Sequence, residues 1–156
     1  MSWNVINGGQ FTFTTAGMDQ AMAFKLKARN RFTSGMKQDL DISCLKEVGA
    51  KFEVNGLFQL LDEQNVPYAC DKSKSWTDPL YCILMTIRIK GSLPMHLGNN
   101  YIGPWVADDF NAFSSRFTVT EAMAASDSVY FYFQGPRAGA SIVFDHITIT
   151  PLGTTS

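Results

Sequence analysis

A chain of 156 residues suits one domain (residues 1–156) and is short for two, and at this size roughly 70% of the unfolded surface can be buried without staples. Hydrophobic residues at 46% and aromatics at 13% exclude a disordered chain. A net charge of -1 argues against a nucleic-acid binder, which carries a basic excess, and gives no support to an anionic membrane surface, so the partner it implies is neutral or nearly so.

The N-terminal MSWNVINGGQ has neither the basic start nor the apolar stretch of a signal peptide, which leaves export of a parent protein open. No apolar run approaches the roughly 20 residues of a membrane-spanning helix. Asn7-Gly8-Gly9 then marks a turn, and residues 24–31 (FKLKARNR) predict a strand with Phe24, Leu26 and Ala28 on one face. After a turn at Thr33-Ser34-Gly35, a short helical piece is expected around residues 43–47. Residues 51–60 (KFEVNGLFQL) place Phe52, Val54, Phe58 and Leu60 on one face and Glu53, Asn55 and Gln59 on the other. Residues 81–90 put Ile83, Met85, Ile87 and Ile89 opposite Thr86, Arg88 and Lys90. Residues 113–120 set Phe113, Phe117 and Val119 against Ser114, Arg116 and Thr118, and a second helical piece is expected near 120–125. Residues 129–134 (VYFYFQ) and 141–150 (SIVFDHITIT) complete the strands. β-Branched and aromatic residues suit a pleated surface, and strands parted by turns predict an all-β fold, a sandwich or barrel.

Two long loops, 62–79 and 92–109, carry Tyr68 and Trp76, and Tyr101 and Trp105; loops of this length in a compact domain tend to be functional or mobile. Cys70 and Cys82 flank a polar loop that a disulfide can close in an oxidising compartment; three reduced thiols, Cys44 among them, is the other reading. Without a CxxC pair no structural zinc is expected.

The order of local strings, NGGQFTF, KLKARNR, GMKQDLDIS, VGAKFEVNGLF, SSRFTVT, VYFYFQGP and SIVFDHITITP, resembles the β-sandwich carbohydrate-binding modules of the family 4, 9 and 22 group, over residues 7–151. The resemblance implies a jelly-roll β-sandwich of two antiparallel sheets. It implies a secreted, non-catalytic module that binds a polysaccharide such as xylan or β-glucan, β-glucans ranking first, and is appended to a glycoside hydrolase. It also implies a structural calcium held by Asp145, with Asp19 near the other ligating stretch. The sequence departs from the family where Asp145 is followed by His146 and where Gln10 and Thr12 flank Phe11 in the first strand.

Sugar recognition needs an aromatic platform for the pyranose C–H face and planar polar groups for its hydroxyls. In residues 129–134, Phe131 and Phe133 should face the core, leaving Tyr130, Tyr132 and Gln134 as an exposed strip. Glu53, Asn55 and Gln59 would extend it into one groove if their strand lies alongside. Arg31 could clamp vicinal hydroxyls, and Trp76 and Trp105 are stacking candidates; Trp3 should pack on the first strand. Each has a structural alternative: a solvated sheet face, a salt bridge or a cap on the core. Asp145 interrupts an apolar strand and needs a partner, calcium or a hydrogen bond. His96 and His146 lie in no metal or nucleophile motif. Glu53 with Asp108 or Asp109 could form a glycosidase carboxylate pair, so a small jelly-roll hydrolase or lyase is one alternative, and a protein-binding adhesion sandwich another.

Overall fold

A computed structural model of the chain describes residues 3–14, 23–27, 29–31 and 33–153. Among the described residues, ten strands form two antiparallel five-stranded sheets. The first contains β1 (Asn4–Ile6), β4 (Gly35–Asp39), β9 (Val129–Gln134), β6 (Leu84–Ile89) and β7 (Met95–Gly98), in that order. The second contains β2 (Gln10–Thr14), β3 (Ala23–Lys27), β10 (Ser141–Pro151), β5 (Lys51–Leu61) and β8 (Asn111–Thr118). The chain passes repeatedly from one sheet to the other, as in a jelly roll. The expected 24–31 strand ends at Lys27, and β7 falls inside the stretch expected to be a loop. Ala28 lies outside the described residues.

The expected helical pieces exist. A 3₁₀ turn covers Ile42–Leu45, where the Asp41 side chain accepts from the Ser43 N–H, and α1 covers Glu121–Ala125, where the Thr120 hydroxyl accepts from the Met123 N–H. Both caps satisfy orphan donors of a first turn.

Alternation along the strands builds the core. Phe58, Phe113, Phe131, Phe133 and Phe144 are fully buried between the sheets, with Met85, Ile87 and Leu60 beside them. Phe133 lies edge-on to Phe144 at 4.8 Å and to Phe58 at 5.4 Å, the geometry aromatic quadrupoles favour. Trp3 packs edge-on against Phe131, Phe133 and Phe144, so it fills the core rather than only its own strand. In β10 the pairing with β5 shifts register between Asp145 and Thr148, and His146 takes a φ of 48°. This bulge changes the phase of alternation, so that Phe144 before it and Ile147 and Ile149 after it all meet the core.

Two features set the sheet that carries the tyrosines. At Gly35, which opens β4, an added Cβ would overlap the Phe133 carbonyl, so only glycine lets β4 approach β9 this closely. Arg29, 2% exposed, gives its guanidinium to the carbonyls of Ser34, Pro136, Arg137 and Ala140, tying the β3–β4 connection to the one after β9. Burial pushes its pKa down to about 10.

Candidate functional site

The residues of β9 alternate as the sequence requires: Val129, Phe131 and Phe133 inward, Tyr130, Tyr132 and Gln134 outward. Antiparallel register then decides what stands beside them. Tyr130 lies between Asp39 of β4 and Arg88 of β6; Tyr132 lies between Lys37 and Thr86; Gln134 lies beside Leu84. His96 of β7 completes the second row, with its Nδ1 3.2 Å from the Thr86 hydroxyl. Directly opposed residues share a face, so these side chains form one surface.

The surface is less open than an exposed strip of tyrosines. Tyr132 keeps only 6% exposure, and Tyr130 is half-buried, its ring 5.7 Å from that of Tyr132 and tilted by 37°. The Lys37 ammonium lies 4.9 Å from the Tyr130 ring centroid, where the negative face of the ring attracts it. The accessible aromatic surface is therefore supplied mainly by Tyr130 and by Trp76.

Trp76, 61% exposed, reaches this face from the first long loop. With Tyr81, Leu84, His96, Gln134 and Gly135 it walls a cleft of about 480 Å³ at the Gln134 end of the face. The loop is held by a disulfide between Cys70 and Cys82; Cys44 is free and exposed. Asp71 accepts from the Ser73 N–H and Asp78 from the Leu80 N–H, local turns that pin both limbs of the loop. Lys72 donates to the carbonyls of Tyr101 and Gly103, and the Tyr101 hydroxyl donates to the Ile83 carbonyl, so the two long loops brace each other. Burial raises the pKa of Tyr81 and, further, that of Tyr101, which keeps both phenols neutral.

The remaining expected site residues lie elsewhere. Glu53, Asn55 and Gln59 belong to β5, in the other sheet, and project from its outer face. The whole thickness of the sandwich parts them from Tyr130 and Tyr132, so the expected common groove does not form. Glu53 is engaged there instead: Asn55 donates to one carboxylate oxygen at 3.0 Å and Arg116 to the other at 3.3 Å, and the Asn55 bond is the main reason its pKa is lowered. Gln59 is buried and donates to the Ala107 carbonyl. Trp105 turns inward, edge-on to Tyr101 at 4.8 Å, so it caps the core and offers no platform. Arg31 is exposed in the turn before β4, where its carbonyl accepts from Ser34; its neighbour Arg29 is the buried clamp.

Glu53 does not meet Asp108 or Asp109. Asp109 precedes Asn111, which is in register with Phe58, and five residues of strand from Glu53 to Phe58 span on the order of 17 Å. Asp145 is nearly buried; its Oδ1 accepts from the His146 N–H at 2.8 Å and lies 3.3 Å from His146 Nδ1, while its buried Oδ2 has no hydrogen-bond partner among the described residues. Asp19 lies outside the described residues. Among the described residues no cluster of three or more His, Cys, Asp or Glu forms, and no helix is long and apolar enough to cross a membrane.

Sequence reasoning missed Lys37, Arg88, Leu84 and His96 as neighbours of the tyrosines. Alternation had put Thr86 and Arg88 on a polar face, but pairing of β6 with β9, distant in sequence, leaves no local trace.

No protein-family model and no curated protein matches the chain. Solved structures do. The CBM22-1 xylan-binding domain of Paenibacillus barcinonensis Xyn10C aligns at 11% identity and a TM-score of 0.64, over 98% of this chain and 87% of that one. The CBM22-1–GH10 modules of Clostridium thermocellum endo-1,4-β-D-xylanase 10B, complexed with xylohexaose, align at 11% identity and a TM-score of 0.66, over 99% of this chain and 27% of that one. A family 16 carbohydrate-binding module aligns at 16% identity and a TM-score of 0.54, over 92% of this chain and 87% of that one. The chain has the β-sandwich fold of these carbohydrate-binding modules. Identities this low carry the fold and not the ligand.

Proposed function

We propose that the chain is a non-catalytic carbohydrate-binding module that takes a soluble polysaccharide chain of the xylan or β-glucan class across the outer face of β4, β9, β6 and β7. One observation carries the reading: Tyr130, Tyr132 and Gln134 share a surface with a cleft walled by an exposed tryptophan, and the two tyrosine hydroxyls and the Gln134 side-chain amide have no hydrogen-bond partner among the described residues. Trp76 and Tyr130 supply apolar platforms for sugar rings, and the Gln134 amide and tyrosine hydroxyls meet sugar hydroxyls. Contacts this shallow, made in water, give affinities on the order of micromolar to millimolar. Several structures with this fold are xylan-binding domains, and one is joined to a GH10 module, which supports a place in a larger, exported carbohydrate-active protein. The Cys70–Cys82 disulfide supports an oxidising compartment.

Affinity electrophoresis through xylan, barley β-glucan, laminarin and hydroxyethylcellulose tests the reading. Wild type is retarded by at least one polysaccharide, and Trp76→Ala and Tyr130→Ala reduce retardation without altering circular dichroism or releasing reducing ends. Absence of retardation in all four gels, or release of reducing ends, contradicts it.

We infer further that a structural calcium binds at Asp145. Its buried, unpartnered Oδ2 is the kind of hard oxygen calcium takes, with backbone carbonyls able to fill other positions. The prediction is a melting temperature that falls on chelation and returns with calcium; an identical melting curve with and without chelator removes the metal from the account.

A further inference from the structure

The net charge of the chain hides a local excess of cations on the tyrosine face. Arg88 stands beside Tyr130 in register on β6, and Lys37 of β4 holds its ammonium over the same ring from the other side. Arg88 is half-buried, yet among the described residues its guanidinium has neither hydrogen bond nor ion pair. The acidic residue of the same row, Asp39, lies two strands away, about 10 Å across the sheet, and is exposed. His96, the titratable group of the next row, is engaged with Thr86.

A guanidinium with no carboxylate or carbonyl partner among the described residues keeps its donors available to a ligand anion. Its fixed fork of donors matches the two oxygens of a carboxylate, and a sulfate ester offers the same bidentate chemistry. The other arginines that lie near carboxylates are already used: Arg116 meets Glu53 and Arg137 meets Glu63. We propose that the polysaccharide bound on this face carries an anionic sugar group, a uronic-acid carboxylate or a sulfate ester, received by Arg88 with Lys37 while the sugar rings lie on Tyr130. The inference rests on the glycan-binding reading and narrows its ligand.

Calorimetric titration with three oligosaccharides of equal length tests it: neutral xylohexaose, the same chain bearing one glucuronic acid branch, and the same chain bearing one sulfate ester. The expected result is that at least one acidic ligand binds about tenfold tighter than the neutral one at low salt, and which one identifies the group. That ratio should fall towards one in Arg88→Gln, and also near 1 M salt, where the screening length shrinks to about 3 Å. Equal affinity for neutral and acidic chains, or a ratio that Arg88→Gln leaves intact, overturns the inference and leaves glycan binding standing. Absence of binding by all three from a protein that a polysaccharide gel retards overturns the inference alone; absence of binding together with no retardation in any of the four gels overturns the glycan-binding reading itself.

Discussion

Two arginines two residues apart show how differently one residue type can be used. Arg29 is enclosed and donates to several backbone carbonyls from two distant segments, whereas Arg31 is exposed. Removing Arg29 leaves buried acceptors without donors, at about 1–3 kcal/mol each. Arg29→Ala should therefore lose at least about 3 kcal/mol of stability and melt roughly 10 °C lower, while Arg31→Ala stays within about 0.5 kcal/mol. Thermal unfolding of the two variants checks this; equal melting temperatures would contradict the assignment. The alternation in FKLKARNR could not separate the pair, because the strand ends at Lys27 and period-two reasoning stops with it. Trp76 and Trp105 posed the same problem. Both sit in polar loops, and only the loop path sends one ring over the cleft and the other onto Tyr101.

The elements themselves were largely legible, since half-buried strands write their period into the chain. β5, β6, β8, β9 and β10 were all anticipated from alternating apolar residues. β7 was missed because four residues, with Gly98 at one end, give too short a pattern to detect. The arm between β5 and β6 behaves as an element of its own, closed by Cys70–Cys82 and braced by Lys72. A disulfide closing a loop of this size contributes about 3 kcal/mol in the chain-entropy account. Cys70→Ser with Cys82→Ser should lower stability by that order and weaken polysaccharide binding beyond the loss in stability, because Trp76 is no longer held over His96 and Gln134. A folded double mutant that binds as tightly as wild type would show that the arm plays no part in the site.

At the scale of the molecule, sequence reasoning reached the architecture and half of the surface. Composition and strand period suffice for a sandwich, because two apolar sheet faces must cover each other. Strand order does not follow from period: β9 pairs with β4 and β6, each far from it in sequence, and β5 lies in the other sheet. That is why Glu53, Asn55 and Gln59 were placed with the tyrosines, and why Arg88 and Lys37 were not.

The two faces of the sandwich now give opposite expectations, which a ¹⁵N-correlation NMR titration with xylohexaose separates. The account predicts shift changes confined to β4, β9, β6 and β7 and the Trp76 indole, with β5 and β8 unmoved. Changes centred on Glu53, Asn55 and Arg116, with Tyr130 and Trp76 silent, would contradict it.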